Sequence, residues 1–310
     1  MRLRKNIVLT VLSFATLTAF GKAPEKSAKD QRDYDRPALA AGCTPANEII
    51  YLEFNNVRTR VEAGGLWWQD RPNSKADYEV PKGSNSYALY AGGLWLGGTD
   101  VNGQLKAAVS KFGQGVDYYT GPLDTLGTAE IDAATCDDWD GFFEITRQEV
   151  TEFVLYRQSV ENGTVADDYP DGYEVPKSIK DWPGNGNVAK GQASRIAPYV
   201  DVNGDGFYDY NDGDYPYYDL GSGFNLFLPD SMLNESGGVD CRAPRVNRGE
   251  SASRPLFGDK TYWWIFNDKG NLHTESNAPS IGMEIHGQAF AFATNDAVND
   301  MTFYNFELIN

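Results

Sequence analysis

Residues 261–267 read Thr261-Tyr262-Trp263-Trp264-Ile265-Phe266-Asn267. Aromatic and β-branched side chains fill the run, and Asp268-Lys269-Gly270-Asn271 follows with turn chemistry, which predicts a strand and a return. Downstream, residues 280–294 and 301–309 are two long patterned runs joined by Asn295-Asp296-Ala297-Val298-Asn299-Asp300. In the second, Phe303, Asn305 and Glu307 alternate with Tyr304, Phe306 and Leu308, so the pair predicts a β-hairpin. Neighbouring tryptophans on a strand point to opposite faces. A sheet built on residues 261–267 therefore needs a second layer, a loop or a ligand on each side.

Working outward, residues 142–145 read as a short strand. Thr146-Arg147-Gln148-Glu149 is a capping box, and Val150, Phe153 and Val154 fall at i, i+3 and i+4, which predicts one short helix over about 147–158. Ser178 to Trp182 adds one turn stopped by Pro183. Further upstream, residues 48–62 suit a strand, a bend at Asn55-Asn56 and a second strand. Tyr87 to Gly97 is apolar at nearly every position, as expected of a strand buried on both faces. Asp100-Val101-Asn102-Gly103 then turns the chain into a hairpin with residues 105–112. With 18 Tyr, 16 Phe, 7 Trp and 32 Gly, the expected class is mainly β: β-sandwich-like antiparallel sheets with long loops.

One of those loops carries a metal-ligand spacing. Asp201-Val202-Asn203-Gly204-Asp205-Gly206-Phe207-Tyr208-Asp209-Tyr210-Asn211-Asp212 places side-chain oxygens at positions 1, 3, 5, 9 and 12, with glycine at the sharp turn, as a calcium loop requires. The candidate ligands are Asp201, Asn203, Asp205, the Phe207 carbonyl, Asp209 and Asp212. Position 12 is Asp, one methylene shorter than the usual Glu. Pro198 and Pro216 deny the loop long flanking helices, so the expectation is a dockerin-like loop that braces a fold, with affinity on the order of 10⁻⁴–10⁻³ M. No Lys or Arg occurs from Ile196 to Cys241, a segment read as an acidic insertion of about 196–241. Carboxylates this dense repel one another unless a cation or water screens them. Asp209, Asn211 and Asp214 form a second, weaker grouping.

Arg2, Arg4 and Lys5 precede an apolar stretch from Ile7 to Phe20, the pattern of a secretory signal peptide over 1–21. Residues 22–47 are polar without hydrophobic period and read as a disordered leader, and 48–310 as one β-rich domain. No other run approaches membrane-spanning length. A net charge of −17 argues against nucleic-acid or anionic-membrane partners. Three cysteines, Cys43, Cys136 and Cys241, allow one disulfide after export, and the reading favours Cys136–Cys241, because Cys43 adjoins the leader. The strand pattern runs to Asn310 without a turn or cap, so a continuation as part of a larger protein is expected.

Only two histidines occur, and HExxH, GxSxG and Walker motifs are absent. Glu284 and His286 share one face of a strand, as a hydrogen-bonded pair on a sheet would. No catalytic residue is assigned. Trp67, Trp68, Trp263 and Trp264 are candidate stacking platforms for sugars. They support an alternative reading as a carbohydrate-binding or carbohydrate-hydrolysing extracellular protein.

Several segments, in order, resemble the N-terminal region of large exported proteins of Bacteroidota that carry a C-terminal sorting domain for type IX secretion. They are Asn55-Asn56-Val57-Arg58, Gly64 to Trp68, Tyr78 to Lys82, Leu94 to Gly98, Gly121 to Asp124, Asp181 to Gly184, Asp201 to Pro216, Trp263 to Glu275 and Gly282 to Asp296. The resemblance implies export to the cell surface or medium, handling by the type IX machinery and a calcium loop; it implies no established chemistry. The expectation is a secreted or cell-surface, calcium-stabilised structural or adhesion module with extracellular glycans or proteins as partners.

Overall fold

The structure, a computed structural model, describes residues 41–111, 115–218, 220 and 255–310. The signal segment, the leader up to residue 40, and Cys241 with residues 221–240 of the acidic insertion lie outside the described residues.

The chain begins with short strands: β1 (Ile49–Leu52), β2 (Arg58–Glu62), β3 (Leu66–Trp67), β4 (Gln69–Asp70), β5 (Lys75–Ala76), β6 (Tyr78–Glu79), β7 (Tyr87–Leu89) and β8 (Gly92–Gly93). An antiparallel sheet runs β7-β6-β2-β3-β8 with β1 also on β2, and β4 pairs with β5 alone. β9 (Trp95–Thr99) and β10 (Leu105–Val109) make the hairpin expected around Asn102-Gly103, with Gly103 at φ +76°. After β11 (Tyr119–Thr120) come helix α1 (Ala133–Asp138), β12 (Phe143–Thr146), α2 (Arg147–Asn162), α3 (Val165–Asp168), α4 (Lys177–Lys180), β13 (Tyr199–Val200) and β14 (Tyr215–Pro216). The last three strands are β15 (Lys260–Asn267), β16 (Glu284–Ala291) and β17 (Phe303–Ile309).

β15 is the strand predicted from residues 261–267, and it organises the second sheet, β11-β15-β16-β17, with β12 also paired to β15. The hairpin of β16 and β17 is present, in the register Gly287 to Phe306 and Gln288 to Asn305. The two tryptophans of β15 separate as the strand period dictates. Trp264 joins Phe266, Ile285, Ala289, Tyr304 and Phe306 in a core shared with Leu52, Val61 and Trp67 of the first sheet. Trp263 and Ile265 join Ile145 of β12, Phe153 and Val154 of α2, Ile179, Trp182, and Tyr199, Tyr208 and Tyr215 beside the acidic loop. The β15 sheet is thus a middle layer. Gly287 sits under Trp264: a Cβ there would lie 2.6 Å from the indole, so only glycine allows this approach.

The helix at 147 is longer than the apolar spacing implied. Its capping box is complete, with Thr146 Oγ1 accepting from Glu149 N–H at 3.1 Å and the Glu149 carboxylate from Thr146 N–H at 2.9 Å. It closes at Gly163 in the left-handed region, φ +72°.

Three expectations are corrected. The run from Tyr87 to Gly97 is not a strand buried on both faces; it breaks into β7, β8 and the start of β9, and Trp95 is 66% exposed. A two-stranded hairpin has no layer to cover its second side. Trp67 and Trp68 do not diverge, because Trp68 lies at φ +68° and the chain turns there. Both end up against the same core, Trp67 stacked 4.7 Å from Phe306 and Trp68 donating its Nε1–H to Tyr304 Oη at 2.9 Å. The disulfide joins Cys43 to Cys136, not Cys136 to Cys241. Cys43 is not part of a loose leader: its N–H donates to Gly270 O at 3.1 Å, and it is buried with Tyr119 and Cys136. Proximity to an unpatterned segment was a poor guide, because Gly270 and Asn271, which hold Cys43 in place, are far away in sequence.

Candidate functional site

The loop at 201–212 hangs between β13 and β14, whose pairing of Val200 with Tyr215 closes its neck. Gly204 and Gly206 take φ +76° and +86°, conformations that let the backbone fold inside its own acidic side chains. Asp201 Oδ1 accepts from Gly204 N–H at 2.8 Å and Oδ2 from Gly206 N–H at 2.9 Å. Asn203 Oδ1 accepts from Asp205 N–H at 3.0 Å, and Asp205 Oδ1 from Phe207 N–H at 2.8 Å. These side-chain turns are the local reason an Asp-x-Asn-x-Asp spacing winds into a loop.

The centre of the loop is marked by Asn203. Its Nδ2 donates to Asp205 Oδ2 at 3.0 Å and to Asp212 Oδ2 at 3.2 Å. Position 12 therefore does fold back over positions 3 and 5 despite its short side chain. Asp209 behaves differently, with Oδ1 accepting from the N–H and Nδ2 of Asn211, both at 2.8 Å. Asn203, Asp205, Phe207, Asp209 and Asp212 are exposed and Asp201 is half-buried. Among the described residues, no three His, Cys, Asp or Glu side chains converge as a ready metal cluster. The donor set is nonetheless all oxygen, as a hard cation prefers, and each carboxylate oxygen that accepts one N–H retains a second lone pair. The residues fit calcium in donor type.

Arg195 escaped the sequence reading, and Asp214 entered it only in a grouping with Asp209 and Asn211. Asp214 is fully buried beneath the loop, its Oδ1 accepting from Val202 N–H at 2.8 Å and its Oδ2 from Asp209 N–H at 2.9 Å. Burial raises its pKa, the nearby charges of Asp201 and Asp205 add to the rise, and the two N–H groups oppose it. It is a brace between the two halves of the loop. Arg195, just before the cation-free segment, reaches Asp201 Oδ2 at 3.3 Å while its guanidinium lies 3.9 Å from the Tyr199 ring centre. No spacing rule singles out either residue; their roles follow from the pairing of β13 with β14.

The four candidate tryptophans are not surface platforms. Trp67, Trp263 and Trp264 are buried and Trp68 is half-buried, so their rings serve the two cores. Glu284 and His286 are a buried pair, with His286 Nε2 donating to Glu284 Oε1 at 2.7 Å and Leu123 N–H donating to Glu284 Oε2 at 2.7 Å. His273 lies elsewhere, its two ring nitrogens each 2.7 Å from the carbonyls of Ala107 and Asp268. Among the described residues no helix is long and apolar enough to cross a membrane. Comparison with protein-family models, with curated proteins and with solved structures gives no match.

Proposed function

We propose that this chain is an exported, calcium-stabilised β-rich module that serves a structural or adhesive role in a larger extracellular protein. The observation that carries the reading is the Asn203 amide held between the carboxylates of Asp205 and Asp212, with Asp201 on the same turn. Side-chain oxygens of Asp201, Asn203, Asp205 and Asp212 and the Phe207 carbonyl would hold the ion. Calcium would supply positive charge to a loop that Arg195 meets at Asp201 and Arg157 at the Asn211 carbonyl.

The chain's residues do the remaining work. Asp214 ties Val202 to Asp209, so ordering of the loop is passed to β13 and β14 and from there to the tyrosines that pack on Trp263. Export is supported by the Cys43–Cys136 bond, which persists in oxidising compartments. Passage through the type IX machinery rests on the family resemblance. Equilibrium dialysis of metal-free protein tests the loop. One calcium per chain, with a dissociation constant on the order of 10⁻⁴–10⁻³ M and lost in Asp205→Ala, is expected; equal binding by wild type and Asp205→Ala would overturn the assignment.

A further inference from the structure

The hairpin of β9 and β10 has one edge in use and one edge open. Ser110 N–H donates to Leu94 O and Asp100 N–H to Gln104 O, both at 3.0 Å. The hydrogen-bonded rows of the hairpin therefore pass through Leu96 and Gly98, and the backbone groups of Trp95, Gly97 and Thr99 point away from β10. On β10 the equivalent outward groups are taken. Ala107 N–H donates to Pro279 O at 3.3 Å, Ala107 O lies 2.7 Å from His273 Nδ1, and Val109 N–H donates to Asp117 Oδ2 at 3.0 Å. On β9 none is: the strand pairs with β10 alone, and no backbone hydrogen bond leaves its outer edge among the described residues.

Nothing on the strand blunts this edge. Trp95, Gly97, Gly98 and Thr99 are exposed, and β9 carries no proline, charge or bulge, the devices that keep a strand edge from pairing. Trp95 donates its Nε1–H to Ser110 O at 2.8 Å, which ties the indole to the β10 side of the hairpin. Opposite Gly98 on β10 is Lys106, half-buried and without a hydrogen bond or ion pair to another described residue. A Cβ added at Gly98 would meet nothing within 4 Å, so the flexible lysine stem has an open path across β9 to the position of a third strand. The hairpin's own carboxylate, Asp100, is turned into the tip, where its Oδ1 accepts from Asn102 N–H and Gln104 N–H, both at 2.9 Å.

We propose that the open edge of β9 docks an extended acidic segment of a partner protein, which joins the hairpin as a third strand, independently of the calcium loop. Backbone hydrogen bonds to Trp95, Gly97 and Thr99 give the attachment, as in other strand additions. Charge gives the selection. A residue opposite Gly98 lies on one row with Lys106, so a carboxylate there meets an unpaired ammonium and a lysine there is repelled. Alternate residues of the segment fall on the other face, beside the exposed indole of Trp95 and the bare Gly97, where apolar side chains fit best. A second copy of this chain fits less well, because β9 offers Lys106 no carboxylate and two chains of net charge −17 repel each other.

The test is fluorescence anisotropy of the purified chain with two labelled peptides, one alternating valine with glutamate and one alternating valine with lysine. Saturable binding of the glutamate peptide is expected, with little of the lysine peptide, although the net charge of the chain favours the reverse. Lys106→Glu should exchange the preference. Gly97→Pro deletes one outward N–H and leaves the rows to β10 in place, so it should weaken the glutamate peptide roughly tenfold or more. Lys106 is without a partner among the described residues, so its variant keeps the test decisive if Gly97→Pro folds poorly. No binding of the glutamate peptide at concentrations on the order of 1 mM, or a preference unchanged in Lys106→Glu, overturns the proposal. So does a dimer in sedimentation velocity that Gly97→Pro dissociates and the peptide does not, which would give the edge to a second copy.

Discussion

Removing the Cys43–Cys136 bond should cost this domain more than any other single change considered. The two cysteines are separated by 93 residues, and the bond ties the segment before β1 to α1. In the chain-entropy description, cross-linking a loop of that length removes about 15.6 cal/mol/K from the unfolded ensemble, about 4.6 kcal/mol at room temperature. Over the roughly 270 residues from Ala41 onward, an unfolding entropy near 2.1 cal/mol/K per residue gives about 0.57 kcal/mol per degree. The expected fall in thermal midpoint for Cys43→Ala, or for Cys136→Ala, is therefore about 8 °C. The two variants should be alike, because each abolishes the same bond, and the double variant should be no worse. Cys241→Ala should melt with the wild type. Differential scanning calorimetry under non-reducing conditions, with peptide mapping of the cross-link, checks this. A drop confined to Cys136→Ala and Cys241→Ala would refute the reasoning and restore the alternative pairing.

Two further outcomes follow from buried positions. Asp214 has a folded-state pKa raised above its ordinary 3.8, so the folded state holds this proton more tightly than the unfolded one. Its contribution is present at low pH and lost as pH rises through the raised value. In EDTA, lowering pH from neutrality towards that value should raise the wild-type midpoint relative to Asp214→Asn, which has no carboxyl to titrate; parallel pH profiles would contradict the assignment. Gly287→Ala places a methyl 2.6 Å from the Trp264 indole, an overpacking that costs about 1–3 kcal/mol and should appear as a lower midpoint with altered near-ultraviolet circular dichroism.

The sheet was legible where one period governed the pattern. Trp263 and Trp264 forced a two-sided layer, the alternation of 303–309 fixed the final hairpin, and Thr146 with Glu149 fixed the start of α2. It was illegible where composition stood in for position. Tyr87 to Gly97 has the apolar content of a buried strand, but its glycines at 92 and 93 run beneath Trp68 and beside Ser110, Leu94 and Leu96 reach the core, and Tyr87, Leu89, Tyr90 and Trp95 stay exposed. The acidic loop was readable as a spacing, while Arg195 and the bracing role of Asp214 were not, because both depend on how the neck of the loop closes. Glu284 and His286 were legible as neighbours on one strand face, whereas the pairing of Gln288 with Asn305 comes from cross-strand register, which a single strand does not reveal.

The central claim is that the acidic loop is a calcium brace, and the direct measurement is the thermal midpoint of the metal-free chain in EDTA, in about 10 mM calcium and in equal magnesium. For a dissociation constant on the order of 3 × 10⁻⁴ M, mass action gives about 2 kcal/mol, a rise of roughly 4 °C. The account predicts that rise with calcium, little with magnesium, and none in Asp205→Ala. Equal midpoints in EDTA and calcium, or a rise that survives Asp205→Ala, would contradict it.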